Sequence, residues 1–94
     1  MINLEEAQKI ALTTIADLSK EWKRTYLILE DEILEKDFAW VFPFNTQAYV
    51  ETRDTMDLAI GLGPVVVNRQ TGAAVVAPPM PIERFLEQYE VEFK

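Results

Sequence analysis

Apolar residues recur at every third or fourth position near the start of the chain. This spacing predicts an amphipathic helix over about residues 4–19, with charged residues on its outer side. Asn3 can cap this helix, because its side chain can accept a free backbone N–H group of the first turn, and Glu6 follows three residues later, approximating a capping box. The predicted apolar face consists of Leu4, Ala7, Ile10, Ala11, Ile15 and Leu18.

A second apolar repeat near the end of the chain predicts a second helix. Pro81 precedes it and suits a first helical turn, since proline has no backbone N–H to leave unpaired there. Residues 78–81 before it form a rigid connector, and we expect the helix to pack beside the first one on a sheet. Its predicted apolar face consists of Ile82, Phe85, Leu86 and Tyr89.

Between the helices, apolar and polar residues alternate, which predicts strands. Residues 25–34 are predicted as one strand and residues 35–37 as a turn into an aromatic strand at residues 38–44. In that strand Phe38, Trp40 and Phe42 share one face, and we expect Trp40 to be a core residue. Pro43 cannot donate to a neighbouring strand, so the ladder has an edge there or ends in a bulge.

The closing hairpin is predicted from two β-branched runs, residues 65–67 and 73–77, which flank a polar turn ending in Gly72. Residues 45–60 are irregular, with a short helix at 55–60 capped by Thr55 or Asp54, and they are a candidate binding surface, because binding residues concentrate in loops. Gly61 and Gly63 precede a strand and lack a following Lys-Ser or Lys-Thr pair, so they predict a turn and not a phosphate loop.

The composition narrows the classes of function. The 94 residues contain no cysteine and no histidine, which excludes disulfides, thiolate metal sites and histidine-dependent catalysis. Sixteen acidic against nine basic residues give a net charge of -7, which disfavours nucleic acid and anionic membranes as partners. No signal peptide pattern opens the chain, and no apolar run reaches the ~18 residues of a membrane span. We therefore expect a cytoplasmic protein without a cofactor.

The densest acidic cluster lies in and after the first predicted strand. It consists of Glu30, Asp31, Glu32, Glu35 and Asp37. Successive strand residues face opposite sides, and the Asp-x-Asp-x-Asp-Gly pattern of calcium loops is absent, which disfavours a metal site. A solvated acidic hairpin and an acidic patch that faces a partner remain as alternatives. Arg53 beside Asp54 and Arg69 beside Asn68 are interpreted as turn residues with surface ion pairs.

Four segments, in a fixed order and spacing, carry a family resemblance. They are residues 40–44, 49–54, 61–72 and 81–91. In these segments the chain resembles the YrhB-like domain, also called the immunity protein 35 family, of bacterial polymorphic toxin systems. Arg53 stands where that family tends to have glycine, and Ala73 and Ala74 stand where glutamate or lysine is commoner. The resemblance implies an α+β fold and a protein that neutralises a toxin by binding it, without catalysis.

Together these observations predict one domain over residues 1–94. Its predicted fold is α+β, with an N-terminal helix, a four-stranded, mainly antiparallel sheet and a C-terminal helix, both helices packed on the sheet. The expected partner is a cognate toxin with a basic contact surface, and the candidate contact residues are Asp31, Glu32, Glu35, Asp37, Glu51 and Arg53. A chaperone-like protein that holds partly unfolded clients is the alternative, and an enzyme that uses carboxylates with lysine or tyrosine is the third hypothesis.

Overall fold

The computed structural model describes residues 1–59, 62–78 and 81–93, and these ranges contain three α-helices and six short strands. Our expectations for Ile60, Gly61 and residues 79–80 lie outside these ranges. Two 3₁₀ turns, Glu30–Glu32 and Thr55–Asp57, interrupt the chain between the regular elements. Those elements are α1 (Leu4–Trp22), β1 (Tyr26–Ile28), β2 (Leu34–Glu35), β3 (Ala39–Phe42), β4 (Phe44–Thr46), α2 (Gln47–Thr52), β5 (Val65–Asn68), β6 (Ala74–Val76) and α3 (Ile82–Phe93).

The strands form an antiparallel four-stranded sheet in the order β2-β3-β5-β6 and a separate two-stranded pair, β1 with β4. Trp40 lies opposite Val67 and Val41 opposite Val66, so β3 and β5 form the centre of the larger sheet. The predicted α+β fold with a four-stranded antiparallel sheet is confirmed. Its strands differ from expectation, because residues 25–34 contribute to both sheets and not to one continuous strand.

The two long helices cover opposite faces of the four-stranded sheet, so the prediction that they pack side by side is wrong. Ala7, Ala11 and Ile15 of α1 pack on the face that carries Trp40 and Val67. Leu86 and Tyr89 of α3 pack on the other face, with Ala39, Val41 and Val66. All residues of β3 and β5 are buried, and since side chains alternate along a strand, burial of both faces requires a cover on each side.

Pro43 separates β3 from β4 and moves the chain from one sheet to the other. The Pro43 carbonyl accepts a hydrogen bond from the Leu29 N–H at 2.9 Å, which extends the β1–β4 pairing one residue beyond Ile28 and Phe44. Phe44 therefore joins Trp40 and Phe42 in the α1 core. Phe38 does not share a face with Trp40 as predicted, because it packs with Tyr89 on the α3 side, with ring centres 6.0 Å apart.

Local signals at the helix ends and turns are largely confirmed. The Asn3 side chain caps α1 by accepting the Glu6 N–H at 2.9 Å, although Leu4 is exposed and α1 continues to Trp22. Asp54 caps the second 3₁₀ turn, and Gly72 has a φ of 77° in the turn between β5 and β6. The short helix α2 was not predicted; Thr46 caps it by accepting the Tyr49 N–H.

Gly63 marks a close approach of two backbones next to the β5–β6 pair. A Cβ at this position would lie 1.8 Å from the carbonyl oxygen of Ala77. Only glycine lets the segment before β5 pass the end of β6 at this distance, since any side chain would overlap that carbonyl group. The glycine at residue 63 is therefore a requirement of chain packing, in addition to the turn that the sequence predicted.

Candidate functional site

Three of the six predicted contact residues lie together on the surface. The Arg53 guanidinium donates from Nη2 to the Asp31 carboxylate at 2.7 Å and from Nη1 to the Glu32 carboxylate at 3.5 Å. Half to two thirds of the Asp31 and Glu32 side chains are exposed. The structure thus joins the first 3₁₀ turn to the end of α2, two segments that lie more than twenty residues apart in sequence.

The first 3₁₀ turn, Glu30–Glu32, places three consecutive carboxylates at the surface. The turn closes through a hydrogen bond from the Glu32 N–H to the Leu29 carbonyl at 2.9 Å. Gln8 of α1 donates to the Glu30 carboxylate at 2.8 Å, so the turn is held from the helix as well as from Arg53. Because these residues are in a turn and not in a strand, the expectation that Glu30 and Glu32 face one way and Asp31 the other does not apply.

Arg53 occupies its position with a left-handed backbone. It follows the last residue of α2 with a φ of 58°, and its N–H donates to the Tyr49 carbonyl. Glycine favours this conformation, which gives a physical reason for the glycine that the resembled family tends to have here. In this chain the strain accompanies a guanidinium that also donates to the Val50 carbonyl at 3.3 Å. The arginine therefore fixes the end of α2 against the acidic turn.

The Arg53–Asp31 pair changes the electrostatics of the acidic surface. The hydrogen bond from Arg53 lowers the pKa of the Asp31 carboxyl below its ordinary value of 3.8, and the same bond raises the pKa of the guanidinium. Both groups are solvent-exposed, so the pair is screened by water and salt. Asp31 and Glu32 are consequently balanced in part by Arg53, while the Glu51 carboxylate on α2 accepts a neutral amide hydrogen bond from Gln47 at 2.9 Å.

Glu35 and Asp37 belong to a second group, at the turn between β2 and β3. Arg69 donates to the Glu35 carboxylate at 3.3 Å and to the Lys36 carbonyl at 2.8 Å, and its guanidinium lies over the Trp40 ring. Asp37 is exposed. The structure therefore does not form one acidic hairpin surface from the predicted residues, because the Glu35 carboxylate engages Arg69 in an interaction that holds the β2–β3 turn.

The second 3₁₀ turn, Thr55–Asp57, adjoins the first group; the sequence predicted a short helix over residues 55–60 here, but none of the candidate contact residues lies in this turn. The Thr52 hydroxyl accepts the Asp54 N–H at 3.2 Å and donates its one proton to the Ala48 carbonyl at 2.8 Å, with the Asp57 carboxylate as a second acceptor at 3.2 Å. Met56 at its centre is 88% exposed. The sequence signal for this feature is a methionine within the run Asp54-Thr55-Met56-Asp57, directly after the Arg53 that contacts the acidic turn.

A cleft of about 360 Å³ opens beside the second 3₁₀ turn. It separates the end of α1 from the loop that follows α2. The cleft is lined by Arg24, Thr25, Thr46, Gln47, Ala48, Met56, Asp57, Leu58 and Ala59. Its wall combines apolar groups with one cationic and one anionic side chain, which suits contact with an amphipathic surface.

The described part of the chain contains neither a cluster of side chains that could hold a metal ion nor a helix that could cross a membrane. In residues 1–59, 62–78 and 81–93, no three acidic side chains come together in an arrangement that could hold a metal ion. Within the same ranges, no helix combines the length and the apolar character that a membrane span needs.

Comparison with known proteins identifies the family. Neither the curated proteins nor the solved structures include a match to this chain. The family model described as immunity protein 35 matches residues 5–91, nearly the whole chain, and it includes α1 from its second residue onward, a helix outside the segments that carried the resemblance. The resemblance is confirmed, and the chain belongs to the immunity protein 35 family.

Proposed function

We propose that this protein is an immunity protein that binds a cognate bacterial toxin and neutralises it by direct contact, without catalysis. The observation that carries the proposal is the match of residues 5–91 to the immunity protein 35 family. We further propose that residues 1–94 act as one domain and that the protein acts in the cytoplasm. No covalent step is part of this function, so its specificity resides in the surface that meets the toxin.

The charge of the protein supports a toxin with a basic contact surface. A net charge of -7 attracts a basic partner and speeds its encounter, because complementary potentials steer association. The proposed contact residues are those predicted from the sequence: Asp31, Glu32, Glu35, Asp37, Glu51 and Arg53. The ion pairs of Arg53 with Asp31 and Glu32 support these three residues as one contact surface, whereas Glu35 pairs with Arg69 and Asp37 lies near Glu35 at the β2–β3 turn.

The distribution of exposed apolar side chains favours a dedicated partner over a chaperone-like function. A holdase for unfolded clients needs a broad exposed apolar patch. Besides Met1, the large exposed apolar residues in the described chain are spread over several elements: Leu4, Leu12 and Trp22 on α1, Leu27 on β1, Leu34 on β2, Met56 and Leu58 at the second 3₁₀ turn, and Val75 and Val76 on β6. A one-to-one complex with a single partner is therefore the expected mode of binding.

The test is co-expression with the toxin domain encoded by the neighbouring open reading frame. Growth of the host with the toxin alone and with both proteins is compared, and an inactivated toxin domain is then co-purified with this chain. We expect restored growth and a saturable one-to-one complex. Toxicity that persists beside this protein would contradict the proposal, and suppression of client aggregation would then be the result that supports the chaperone-like alternative.

Charge reversal tests the proposed contact residues within that complex. The triple change Asp31→Lys, Glu32→Lys and Glu35→Lys should slow association and flatten its salt dependence. The matched control is Asp17→Lys, Glu83→Lys and Glu87→Lys, which changes the net charge equally on α1 and α3. Equal losses in the two triple variants would show that overall charge, and not this surface, governs association.

A further inference from the structure

Met56 is the most exposed large apolar residue in the described chain, at 88% of its full accessible surface. Leu58, two residues on, is also exposed, and both line the cleft of about 360 Å³ beside the second 3₁₀ turn. Here a protruding side chain lies next to a cleft. A partner with a complementary shape can contact both. Methionine suits such a position, because its flexible thioether adapts to an apolar pocket.

The loop that carries Met56 is held in place before any partner arrives. Asn45, which is buried, accepts the Ala59 N–H at 2.9 Å and donates to the Ala59 carbonyl at 3.2 Å. The Thr46 hydroxyl donates to the Asp57 carbonyl at 2.8 Å, and the Asp54 carboxylate accepts the Met56 N–H at 2.9 Å. A loop fixed in this way loses little conformational entropy on binding, which is the general advantage of preorganised contacts.

Negative charge surrounds this loop and specifies what kind of surface it fits. The Thr46 hydroxyl, which caps the start of α2, donates to the Asp57 carbonyl, and the Thr52 hydroxyl at the end of α2 accepts the Asp54 N–H. Arg53 continues the connection to Asp31. The joined segments, residues 30–32 and 51–57, carry six carboxylates against the single guanidinium of Arg53. A complementary surface is therefore basic around its edge and apolar at the point that faces Met56.

We propose that Met56 and the adjacent cleft are the centre of the toxin interface, an inference that rests on the proposed function. The toxin presents an apolar pocket that receives the Met56 side chain, and lysine or arginine side chains at its rim pair with Glu51, Asp54 and Asp57. This places the interface on the loop after α2 and the first 3₁₀ turn, and leaves Glu35 and Asp37 outside its centre.

The test measures the affinity of the purified, inactivated toxin domain from the neighbouring open reading frame by titration calorimetry. Met56→Ala should raise Kd by roughly 30-fold, as for a central apolar contact, while Met56→Leu should stay within about threefold of the wild type. The matched control is Leu12→Ala, which removes a half-exposed apolar side chain from α1. It should leave Kd unchanged, and all three variants should melt like the wild type.

A charge variant tests the rim in the same complex. Glu51→Lys should slow association and reduce its salt dependence, whereas Glu87→Lys, with the same change in net charge on α3, should have a smaller effect. A wild-type complex that Met56→Ala and Leu12→Ala weaken equally would overturn this inference and leave the proposed function standing. Failure of the wild type to bind the toxin would overturn both.

Discussion

The guanidinium of Arg69 lies 4.6 Å from the centre of the Trp40 ring. The same guanidinium donates to the Lys36 carbonyl and the Glu35 carboxylate, so it joins the turn after β5 to the turn between β2 and β3 across the sheet edge. Trp40 in turn donates from its indole nitrogen to the Ile2 carbonyl at 3.0 Å. Arg69 and Trp40 thereby connect the start of the chain, the β2–β3 hairpin and the β5–β6 hairpin.

Replacing Arg69 by lysine should lower the free energy of unfolding by about 1–2 kcal/mol, because a lysine keeps the charge but loses the stacking of the planar guanidinium on Trp40 and the position from which Nη1 donates to both Glu35 and Lys36. Only 17% of the Arg69 side chain is exposed, so solvent compensates little. Urea denaturation measures the change, and Arg84→Lys on the exposed side of α3 is the control. Equal stability of the two variants would contradict a structural role for Arg69.

Gly63→Ala should destabilise the protein more than Gly72→Ala. At residue 63 the new Cβ would overlap the Ala77 carbonyl, and forcing the backbones apart should cost about 3 kcal/mol. At residue 72 the cost should be about 1 kcal/mol and should come from the positive φ. Steric overlap should add little there, because the nearest atom is the end of the flexible Ile2 side chain. Denaturation midpoints at an unchanged m-value measure both effects. The reverse order would contradict the close approach described for Gly63.

The Arg53–Asp31 pair should make part of the stability depend on acid pH. Because the pKa of Asp31 is lowered in the folded state, the stabilisation is present above its ordinary value of 3.8 and is lost as the pH falls through the lowered value. The advantage of the wild type over Arg53→Asn, a residue that tolerates the left-handed backbone, should therefore shrink on acidification below roughly pH 4.

Carbon NMR titration of the Asp31 carboxyl provides the direct measurement. Its pKa should rise toward the ordinary value in Arg53→Asn. In an Asp31→Asn background, the Arg53→Asn change should no longer produce this acid-dependent difference in stability. An Asp31 pKa that does not respond to Arg53→Asn would show that the hydrogen bond is absent in solution.

The parts of the fold that the sequence predicted are those that local spacing determines. Helices α1 and α3 and the β5–β6 hairpin follow from periodicity, an asparagine cap and the glycine at residue 72. The opposite placement of α1 and α3 depends on burial of both faces of β3 and β5, which local spacing does not assign to a particular helix. The change of sheet at Pro43 depends on which distant strands pair with the segments on either side.

The candidate site was predictable only in its components. The carboxylates of residues 30–32 and the residue type at Arg53 are visible in the sequence, and the family resemblance drew attention to Arg53. Their contact depends on how the segment after α2 returns to the first 3₁₀ turn, which involves hydrogen bonds over about twenty residues. The protrusion of Met56 depends likewise on the buried side chain of Asn45, whose partners lie fourteen positions away.

Asn45→Ala should show how much the fixed conformation of the Met56 loop contributes to binding, apart from the direct contacts that Met56 makes with the toxin. The change removes the two hydrogen bonds to Ala59 and the one to the Thr46 N–H, and we expect a loss of stability of about 1–3 kcal/mol. Asn68→Ala is the matched control, because Asn68 is also buried and accepts two backbone N–H groups in the β5–β6 turn. Both variants should be destabilised by similar amounts.

Hydrogen exchange and toxin affinity should distinguish these two variants. Asn45→Ala should speed exchange in residues 54–59 and weaken toxin binding, although Asn45 is buried and touches no partner in the proposed interface. Asn68→Ala should leave exchange in that segment and the affinity unchanged. If both variants lose affinity in proportion to their loss of stability, preorganisation of the loop contributes nothing specific to binding. If only Asn45→Ala loses affinity, the conformation in which Asn45 holds residues 54–59 is itself a determinant of toxin recognition.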